Sequence, residues 1–454
     1  MKVAKPPEVL AAPFKAIASR DANKVDAYLD YASPTDTKGR YLHFDQLRHR
    51  IPKELDPALV WSVVKSARLR YSRPLLPLVD PIVPARFVLT PTIQKALSET
   101  DRNATSASLE LTCMRIGERA QLEYLLNDLI EDEAISSSQL EGAATTISVA
   151  RELLKRNRKP RSPDEKMIVG NYRMMKLAWQ KRHEPLTLDL VRELHDTGVE
   201  GIDDEHYRPG AFRDCDDVHV VNSAGDIVHT PPPAIGLTKR MQSIIEWVNT
   251  EHDSVESPDF LHPLIKAIVL HFCIGYEHPF RDGNGRVARG LFYWYMFRRD
   301  FAAFRYIAIS VLLKDAPVQY GKSYLYTESD ELDLTYFIDY QAGILLRAIE
   351  RYKEACRAAE KHIEEFNRLL HASGLYKKLS DKQKTVFQAA LNNDARTLTI
   401  RAVEENLGCS YNTAAAVLNG LVDLDLFEKL KEGREWIYRI KDKDEIMHGW
   451  QLDR

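Results

Sequence analysis

Apolar residues recur at helical spacing through most of the middle of this 454-residue chain, and this periodicity constrains its fold more than any other feature. Such patterns cover 106–133, 147–157, 164–182, 187–199, 234–251, 260–276, 286–299 and 333–370. Helices with one apolar face bury that face against neighbouring elements. The sequence therefore predicts a mainly α protein with a helical core domain over 105–350.

One segment, 207–233, interrupts the helical patterns. Two β-rich runs, 212–221 and 226–230, flank a glycine-containing turn at 222–225, which is the arrangement of a β-hairpin. Pro231–Pro233 then ends the second strand, because proline lacks the backbone N–H that strand pairing uses. We expect a hairpin set into the helical domain.

The two ends of the chain differ from the middle. Residues 1–104 begin with a proline-rich, irregular sequence that has one helical stretch near 56–70, so we expect an N-terminal arm or docking region. A charged linker helix is expected over 351–375. Beyond it, 376–454 has the order helix, helix, turn, helix and hairpin, which is typical of a winged helix-turn-helix domain.

Composition argues against several classes of protein. The net charge of -3 gives no general reason to expect nucleic acid or a membrane as partner. No apolar run approaches the roughly 20 residues that span a bilayer, and the N-terminus lacks the apolar stretch of a signal peptide. The five cysteines include no CxxC pair, so we expect reduced thiols and a cytoplasmic protein. The expected recognition helix, 410–422, carries no arginine or lysine, which favours a docking or dimer-supporting role over DNA binding.

The segment richest in chemical groups runs from His278 to Arg289, with the sequence HPFRDGNGRVAR. A strongly apolar helix precedes it over 261–276, so His278 should emerge at a helix C-terminus. Pro279 prevents the helix from continuing, and Phe280 can anchor the loop in the core. The ordinary pKa of histidine, about 6.5, suits His278 to the removal of a proton from a hydroxyl group.

The second half of this segment is suited to binding phosphate. Gly283, Asn284 and Gly285 tolerate the dihedral angles that direct several backbone N–H groups to one point. The helix that begins near Arg286 adds the partial positive charge of its N-terminus. Arg286 and Arg289 lie three residues apart, so both forked guanidinium groups face the same side.

Asp282 is the natural Mg²⁺ ligand of the segment, since Mg²⁺ usually takes one carboxylate together with phosphate oxygens. With His278 and the two arginines, it completes the set of groups needed to hold a nucleoside triphosphate and deprotonate an acceptor hydroxyl. The expected ligands are therefore a nucleoside triphosphate and Mg²⁺.

The segment resembles the Fic-domain signature HPFx(D/E)GNGRxxR and matches it at every fixed position. The resemblance implies a helical fold that transfers AMP from ATP to a hydroxyl side chain (Tyr, Thr or Ser) of a target protein and of the enzyme itself. It implies that His278 is the base, that Asp282 binds the metal, and that Arg289 meets the γ-phosphate. The residues expected to bind the nucleotide are Phe280, Arg281, Asp282, Gly283, Asn284, Gly285, Arg286, Arg289, Tyr320 and Tyr324. A homodimer is also expected by analogy with the family.

A second segment, SSQLEG over 137–142, resembles the inhibitory motif (S/T)xxxE(G/N) of the same family. Ser137 and Glu141 are four residues apart and share a helix face, and Gly142 can end the helix. The Glu141 carboxylate is expected to form a bidentate pair with Arg289 in the place of a γ-phosphate. The inhibitory helix is expected over about 130–142. In some members of the family the same glutamate also supports removal of AMP.

The flap and the adenine side are assigned by the same resemblance. The hairpin over 218–230 corresponds to a flap that aligns an extended segment of the target. Tyr320, Tyr324 and Tyr326, together with Ser310, are the candidates for lining the adenine pocket.

Two alternatives stay open at the level of sequence. A Fic enzyme could transfer another nucleotide-linked group, such as UMP or phosphocholine. Alternatively, the chain could be a DNA-binding regulator in which the 278–289 loop senses nucleotide.

Overall fold

Three large hydrophobic cores organise the chain in the computed structural model, which describes residues 3–76, 84–116, 127–155, 158–202, 207–221, 225, 227–392, 397–432, 435–442 and 445–446. The first lies between Ile17 and Val64, the second draws on residues from Leu76 to Ile363, and the third on residues from Phe366 to Ile446.

The N-terminal core contains more helix than the sequence predicts. Its helices are α1 (Pro13–Arg20), α2 (Val25–Leu29), α3 (Phe44–Leu47) and α4 (Pro57–Tyr71). The expectation of a single helical stretch was wrong. The prolines that suggested irregular chain, Pro13 and Pro57, lie in the first turn of a helix, where no hydrogen bond from a backbone N–H is required. The short strands β1 (Arg73–Pro74) and β2 (Arg86–Phe87) then pair antiparallel.

Helices build the central core, as predicted. They are α5 (Pro91–Asn103), α6 (Ser106–Ile116), α7 (Asn127–Leu140), α8 (Ile147–Lys155), α9 (Pro163–Gln180), α10 (Leu188–Val199), α11 (Leu237–Asn249), α12 (Pro263–Glu277), α13 (Asn284–Arg298), α14 (Ser310–Asp315), α15 (Pro317–Ser329) and α16 (Thr335–Ser373). Consecutive helices α12 and α13 pack together at the centre, and both are buried over almost their whole length. The 278–283 segment joins them, so a packed pair of helices fixes both ends of this loop.

The predicted hairpin is present as β3 (Val220–Val221) and β4 (Ile227–His229), which pair antiparallel. Its turn at 222–224 and residue 226 lie outside the described residues. We call this hairpin, β3 and β4, the flap.

The packing does not break where the sequence suggested domain boundaries. Leu76, Ala85 and the buried face of α5 belong to the central core, although they precede residue 105. Helix α16 runs without interruption for 39 residues across the expected boundary at 350. It contributes to the central core as far as Ile363 and to the C-terminal core from Phe366.

The C-terminal core combines helices α17 (Asp381–Asn392), α18 (Ile400–Leu407) and α19 (Tyr411–Asp423) with strands β5 (Thr397–Thr399), β6 (Phe427–Glu432) and β7 (Glu435–Ile440). The strand order is β5-β7-β6, and Gly408 ends α18 in the left-handed conformation. The predicted order of helices and hairpin is present, with β5 as an additional strand. The tip of the hairpin, 433–434, lies outside the described residues. None of the described helices combines the length and apolar character needed to cross a membrane.

Candidate active site

His278 lies directly after α12, in a left-handed conformation with φ 46°. Its Nδ1 is 3.2 Å from the carbonyl oxygen of Gly275. A carbonyl oxygen can only accept, so this hydrogen bond places the proton on Nδ1 and leaves Nε2 as the basic nitrogen. Burial lowers the pKa of His278 to about 4, which keeps the ring neutral near pH 7.

Phe280 and Asn284 close the loop on itself. Phe280 is fully buried, as predicted for an anchor. The Asn284 side chain accepts from the Phe280 N–H and donates to the Phe280 carbonyl, each at 2.8 Å. The Asn284 amide therefore holds the shape of the turn, which leaves its backbone at the start of α13 as the part that can meet a ligand.

His195 packs against the 278–283 loop and supports it. The sequence did not indicate this role. Its ring stacks on Phe280 at 3.8 Å between centroids. Nδ1 accepts from the Gly210 N–H at 3.1 Å, so Nε2 donates to the Asp282 carbonyl at 3.0 Å. Burial lowers the pKa of His195 to about 4, which suits this neutral, single-donor role. In sequence it is one histidine on an apolar helix face, and nothing in the local pattern distinguishes it.

The Gly283–Gly285 turn lies beside buried positive charge. Arg286 is 1% exposed and donates through Nη1 to the Gly198 carbonyl at 2.7 Å. Its Nε and Nη2 atoms have no hydrogen-bond partner among the described residues. A Cβ at Gly283, where φ is +80°, would lie 3.2 Å from Nη2. Unpaired buried donors beside a glycine turn at a helix N-terminus fit an anionic ligand such as a phosphate.

Arg289, which is 1% exposed, contacts the helix that carries the second motif. Its Nε donates to Ser137 Oγ at 2.8 Å, and Nη2 donates to the Ser137 carbonyl at 3.0 Å and to Glu141 Oε1 at 2.8 Å. Burial alone would lower the pKa of Arg289, but Glu141, Tyr320 and Glu133 together outweigh it and raise the pKa. The expected bidentate pair is not formed, because Nε donates to Ser137 and Glu141 contributes a single oxygen.

Glu141 also lies against the glycine turn. A Cβ at Gly285 would come 2.1 Å from Glu141 Oε1, so only glycine permits this approach. Gly142 follows in a left-handed conformation with φ +99°, consistent with a chain that turns at the end of α7. The protein's own carboxylate therefore lies at the anion site that the loop forms.

Helix α7 is held in this position by buried contacts. Glu133 accepts from both the N–H and the hydroxyl of Ser310 at the start of α14. Asn171 donates to the Ala134 carbonyl at 2.9 Å. Burial raises the pKa of Glu133. Ser310 thus anchors α7 through Glu133, a contact that the sequence did not indicate.

The three tyrosines of α15 face different surroundings. Tyr320 Oη lies 2.7 Å from His271 Nε2 and 3.5 Å from Tyr324 Oη. Both Tyr320 and Tyr324 are partly buried against the central core. Tyr326 instead stacks on His43 of the N-terminal region, with 4.4 Å between ring centroids. It therefore does not lie in the same group of side chains as Tyr320 and Tyr324.

Arg281 and Asp282 diverge from one another. The Arg281 guanidinium contacts Cys215 Sγ at 2.9 Å and Asp217 at 3.4 Å, in the segment that leads into the flap. Its side chain is thus directed away from the glycine turn. Asp282 is partly exposed and accepts from the Gly283 N–H. The described residues contain no group of three metal-binding side chains, so a cation here would rely on Asp282 together with oxygens of its ligand.

Arg213 joins the flap segment to the loop and was also missed. Its Nε donates to the His278 carbonyl at 2.9 Å, and its Nη2 donates to the carbonyls of Pro232 and Glu277. Its backbone N–H donates to the Pro279 carbonyl at 2.8 Å. One buried arginine thus connects the residues around His278 to the base of the flap.

Comparison with known proteins agrees with this site. A model of the Fic/DOC family matches residues 185–296. A protein adenylyltransferase Fic from Nematostella vectensis is 26% identical over 227 residues, which is 48% of this chain and 47% of the relative. One from Drosophila yakuba is 41% identical over 61 residues, covering 13% of this chain and 11% of the relative. The chain thus matches less than half the length of these relatives.

Two solved structures are similar at a lower level. A Fic domain containing signaling protein from Bacteroides thetaiotaomicron has a TM-score of 0.47 and 19% identity, over 59% of this chain and 97% of that one. A Fic family protein from Desulfovibrio desulfuricans has a TM-score of 0.46 and 19% identity, over 78% and 97%. The signature at 278–289 lies inside the region, residues 185–296, that the model of the Fic/DOC family matches.

Proposed function

We propose that this protein is an autoinhibited protein adenylyltransferase that transfers AMP from ATP to a hydroxyl side chain of a protein. The observation that supports this most strongly is the meeting of a neutral histidine and a buried cationic phosphate cradle on one loop. Residues 105–350 are the proposed catalytic unit, and α5 packs onto it.

The proton is taken by His278. Its Nδ1 is engaged by Gly275, so Nε2 is the atom that accepts the proton of the acceptor hydroxyl. The hydroxyl oxygen forms a bond to the α-phosphorus while the bond to the β-phosphate oxygen breaks, and pyrophosphate leaves. Positioning and charge neutralisation supply most of the acceleration in reactions of this type.

The triphosphate is held by groups that lack a partner or can exchange one. Arg286 offers its Nε and Nη2, which have no hydrogen-bond partner in the part of the chain that the structure describes, and the turn at Gly283–Gly285 offers backbone N–H groups. Arg289 would contact the γ-phosphate after Glu141 leaves. Asp282 would hold Mg²⁺, which when bound neutralises phosphate charge. Tyr320 and Tyr324 are the proposed wall of the adenine pocket.

Glu141 acts as the inhibitor. It occupies the Arg289 donor that a γ-phosphate would use and fills the space above Gly285. A nucleotide that binds with this contact intact cannot place its γ-phosphate on Arg289, so its α-phosphate is not aligned with His278. Release of Glu141 is therefore the step that permits transfer.

Radiolabelled ATP tests this proposal. The Glu141→Gly variant should label itself strongly from ATP carrying the label on the α-phosphate and not from ATP carrying it on the γ-phosphate. The Glu141→Gly, His278→Ala double variant is the matched control and should not label. Transfer of the γ-label, or equal α-labelling by the double variant, would contradict the proposal.

The position of Arg289 also distinguishes between the alternative donor molecules. Arg289 is buried and cationic, and it is paired with Glu141. A donor molecule without a γ-phosphate would provide no anion to replace Glu141 beside this buried charge. A triphosphate donor is therefore favoured over phosphocholine carriers. A DNA-binding role for 376–454 receives no support from the 410–422 helix, which carries no basic residue.

A further inference from the structure

His229 occupies the junction between the flap and α12. It is the last residue of β4 and is 8% exposed. Its Nε2 lies 2.8 Å from the carbonyl oxygen of Tyr276, two residues before His278, and its Nδ1 lies 2.9 Å from Glu328 Oε2 on α15. One ring therefore connects three elements that meet beside the proposed base.

Both partners of His229 are acceptors. A carbonyl oxygen and a carboxylate oxygen can each only receive a hydrogen, so both ring nitrogens must carry protons for both contacts to exist. The doubly protonated ring is an imidazolium. Loss of one proton leaves a single donor, and either the Tyr276 or the Glu328 contact is then lost.

The Glu328 end of this connection is rigid. The next residue, Ser329, lies 3.2 Å from His43 Nε2, and Asp330 pairs with buried Lys65 at 2.8 Å. The N-terminal core thus fixes the end of α15 from which Glu328 projects. The flap is the shorter and more exposed partner, with Val221 and Ile227 more than half exposed, so it is the element that would move.

We propose that charged His229 is a positioning residue that pins the flap against the end of α12, and that Glu328 maintains this charge. The inference rests on the adenylyltransferase function, because alignment of a target segment by the flap matters only if the loop transfers a group. Arg213 still holds the base of the flap when His229 loses one of its hydrogen bonds. The expected consequence is therefore misalignment of the flap strands and not unfolding.

The surroundings of the ring support this role. The titratable and charged groups that face it are Glu328 on α15, with Tyr276, Glu277 and His278 at the end of α12. Burial alone would lower the pKa of His229, but Glu328 and the Tyr276 carbonyl outweigh it and raise the pKa above its ordinary value. A raised pKa in the folded state means that the pin is complete below about pH 6.5 and is lost as the pH rises through the raised value.

The pH profile of self-labelling in the Glu141→Gly background tests the proposal. From about pH 5 to about pH 9, kcat should fall on the alkaline side while KM for ATP changes little. Glu328→Gln should move this fall to lower pH, because the ring loses its counter-charge. His229→Gln should remove the fall and leave a pH-independent kcat lowered on the order of tenfold through misalignment. Glu364→Gln, at a side chain that is 70% exposed on α16, is the matched control and should leave the profile unchanged.

A histidine NMR titration separates failure of this inference from failure of the proposed function. The His229 resonance, assigned by its disappearance in His229→Gln, should titrate above the ordinary histidine value and move down in Glu328→Gln. If no variant transfers AMP but this titration behaves as stated, the function fails and the pin stands. An alkaline fall that is identical in all variants, or a His229 resonance that ignores Glu328→Gln, would overturn the proposal.

Discussion

Replacing Glu141 by glycine should destabilise the free protein and strengthen its binding of ATP, two effects of opposite sign from one ion pair. Glu141 Oε1 accepts from Arg289 Nη2 at 2.8 Å, with Arg289 1% and the Glu141 side chain 21% exposed. A hydrogen bond to a charged group contributes about 1.5–3 kcal/mol. Because Ser137 keeps its own contacts with Arg289, we expect the free energy of unfolding to fall by an amount in that range.

The affinity for ATP should rise for the same reason. Under the proposed function, a γ-phosphate reaches Arg289 of the unaltered chain only after Glu141 gives up its hydrogen bond. Since each 1.4 kcal/mol corresponds to about a tenfold change in a binding constant, the variant should bind ATP roughly 10- to 100-fold more tightly. Mg·ATP should accordingly raise the unfolding temperature of the variant by more than it raises that of the unaltered protein.

Calorimetric titration with Mg·ATP and thermal unfolding with and without nucleotide measure these two effects. Asp132→Asn is the control on the same helix, since it breaks the 2.8 Å pair with Arg151 away from the loop. It should lower stability slightly and leave ATP affinity unchanged. If Glu141→Gly lost stability without any gain in affinity, Glu141 would be only a structural contact and the reasoning would be refuted.

Three further predictions concern the loop and its support. Gly285→Ala should lower the free energy of unfolding by about 1–3 kcal/mol, because its Cβ would lie 2.1 Å from Glu141 Oε1. Denaturant unfolding should show a smaller cost in the Glu141→Gly background, and equal costs would be evidence against the contact. Burial lowers the pKa of His278 to about 4, so the rate of self-labelling by Glu141→Gly should fall on the acidic side only as the pH drops through about 4, where the base becomes protonated. A decline that begins near the ordinary histidine pKa, seen in initial rates with pH, would contradict this. His195→Leu should cost about 2–4 kcal/mol in thermal unfolding, because two buried loop groups lose their partners, whereas a cost under about 0.5 kcal/mol would argue against its role.

The 278–289 loop could be predicted because the residues that determine its shape are close together in the sequence. Proline after the histidine, two glycines around an asparagine and two arginines three residues apart each act on neighbours in sequence. The contact of Arg289 with Glu141 spans 148 residues, yet it was anticipated because a second motif marked its other end. The form of that contact, one oxygen instead of two, depends on how Ser137 and the backbone of α7 share the guanidinium, which no pattern of residue types encodes.

The supporting residues could not be predicted because they have no partner nearby in sequence. His195 meets the Asp282 carbonyl across 87 residues, and Arg213 meets the His278 carbonyl across 65. In each case the acceptor is a backbone oxygen, which every residue possesses. Only the packing of α10 and the flap segment against the loop decides which oxygen is reached.

The N-terminal region shows how one residue type can mislead. Proline disfavours the interior of a helix but is tolerated in the first turn, and Pro13 and Pro57 both occupy that position. The composition gives only the number of prolines, whereas the fold depends on the position of each proline in or between helices. Helix α16 presents the opposite case, since the apolar pattern over 333–370 and the charged linker helix expected over 351–375 together predicted most of the continuous helix Thr335–Ser373.

The most direct measurement for the central claim is the intact mass of the Glu141→Gly protein after incubation with Mg·ATP. The account predicts the addition of one or more AMP units, removed by alkaline phosphodiesterase treatment and absent from the Glu141→Gly, His278→Ala protein. An unchanged mass in the presence of tightly bound ATP, or the addition of a phosphate alone, would contradict it.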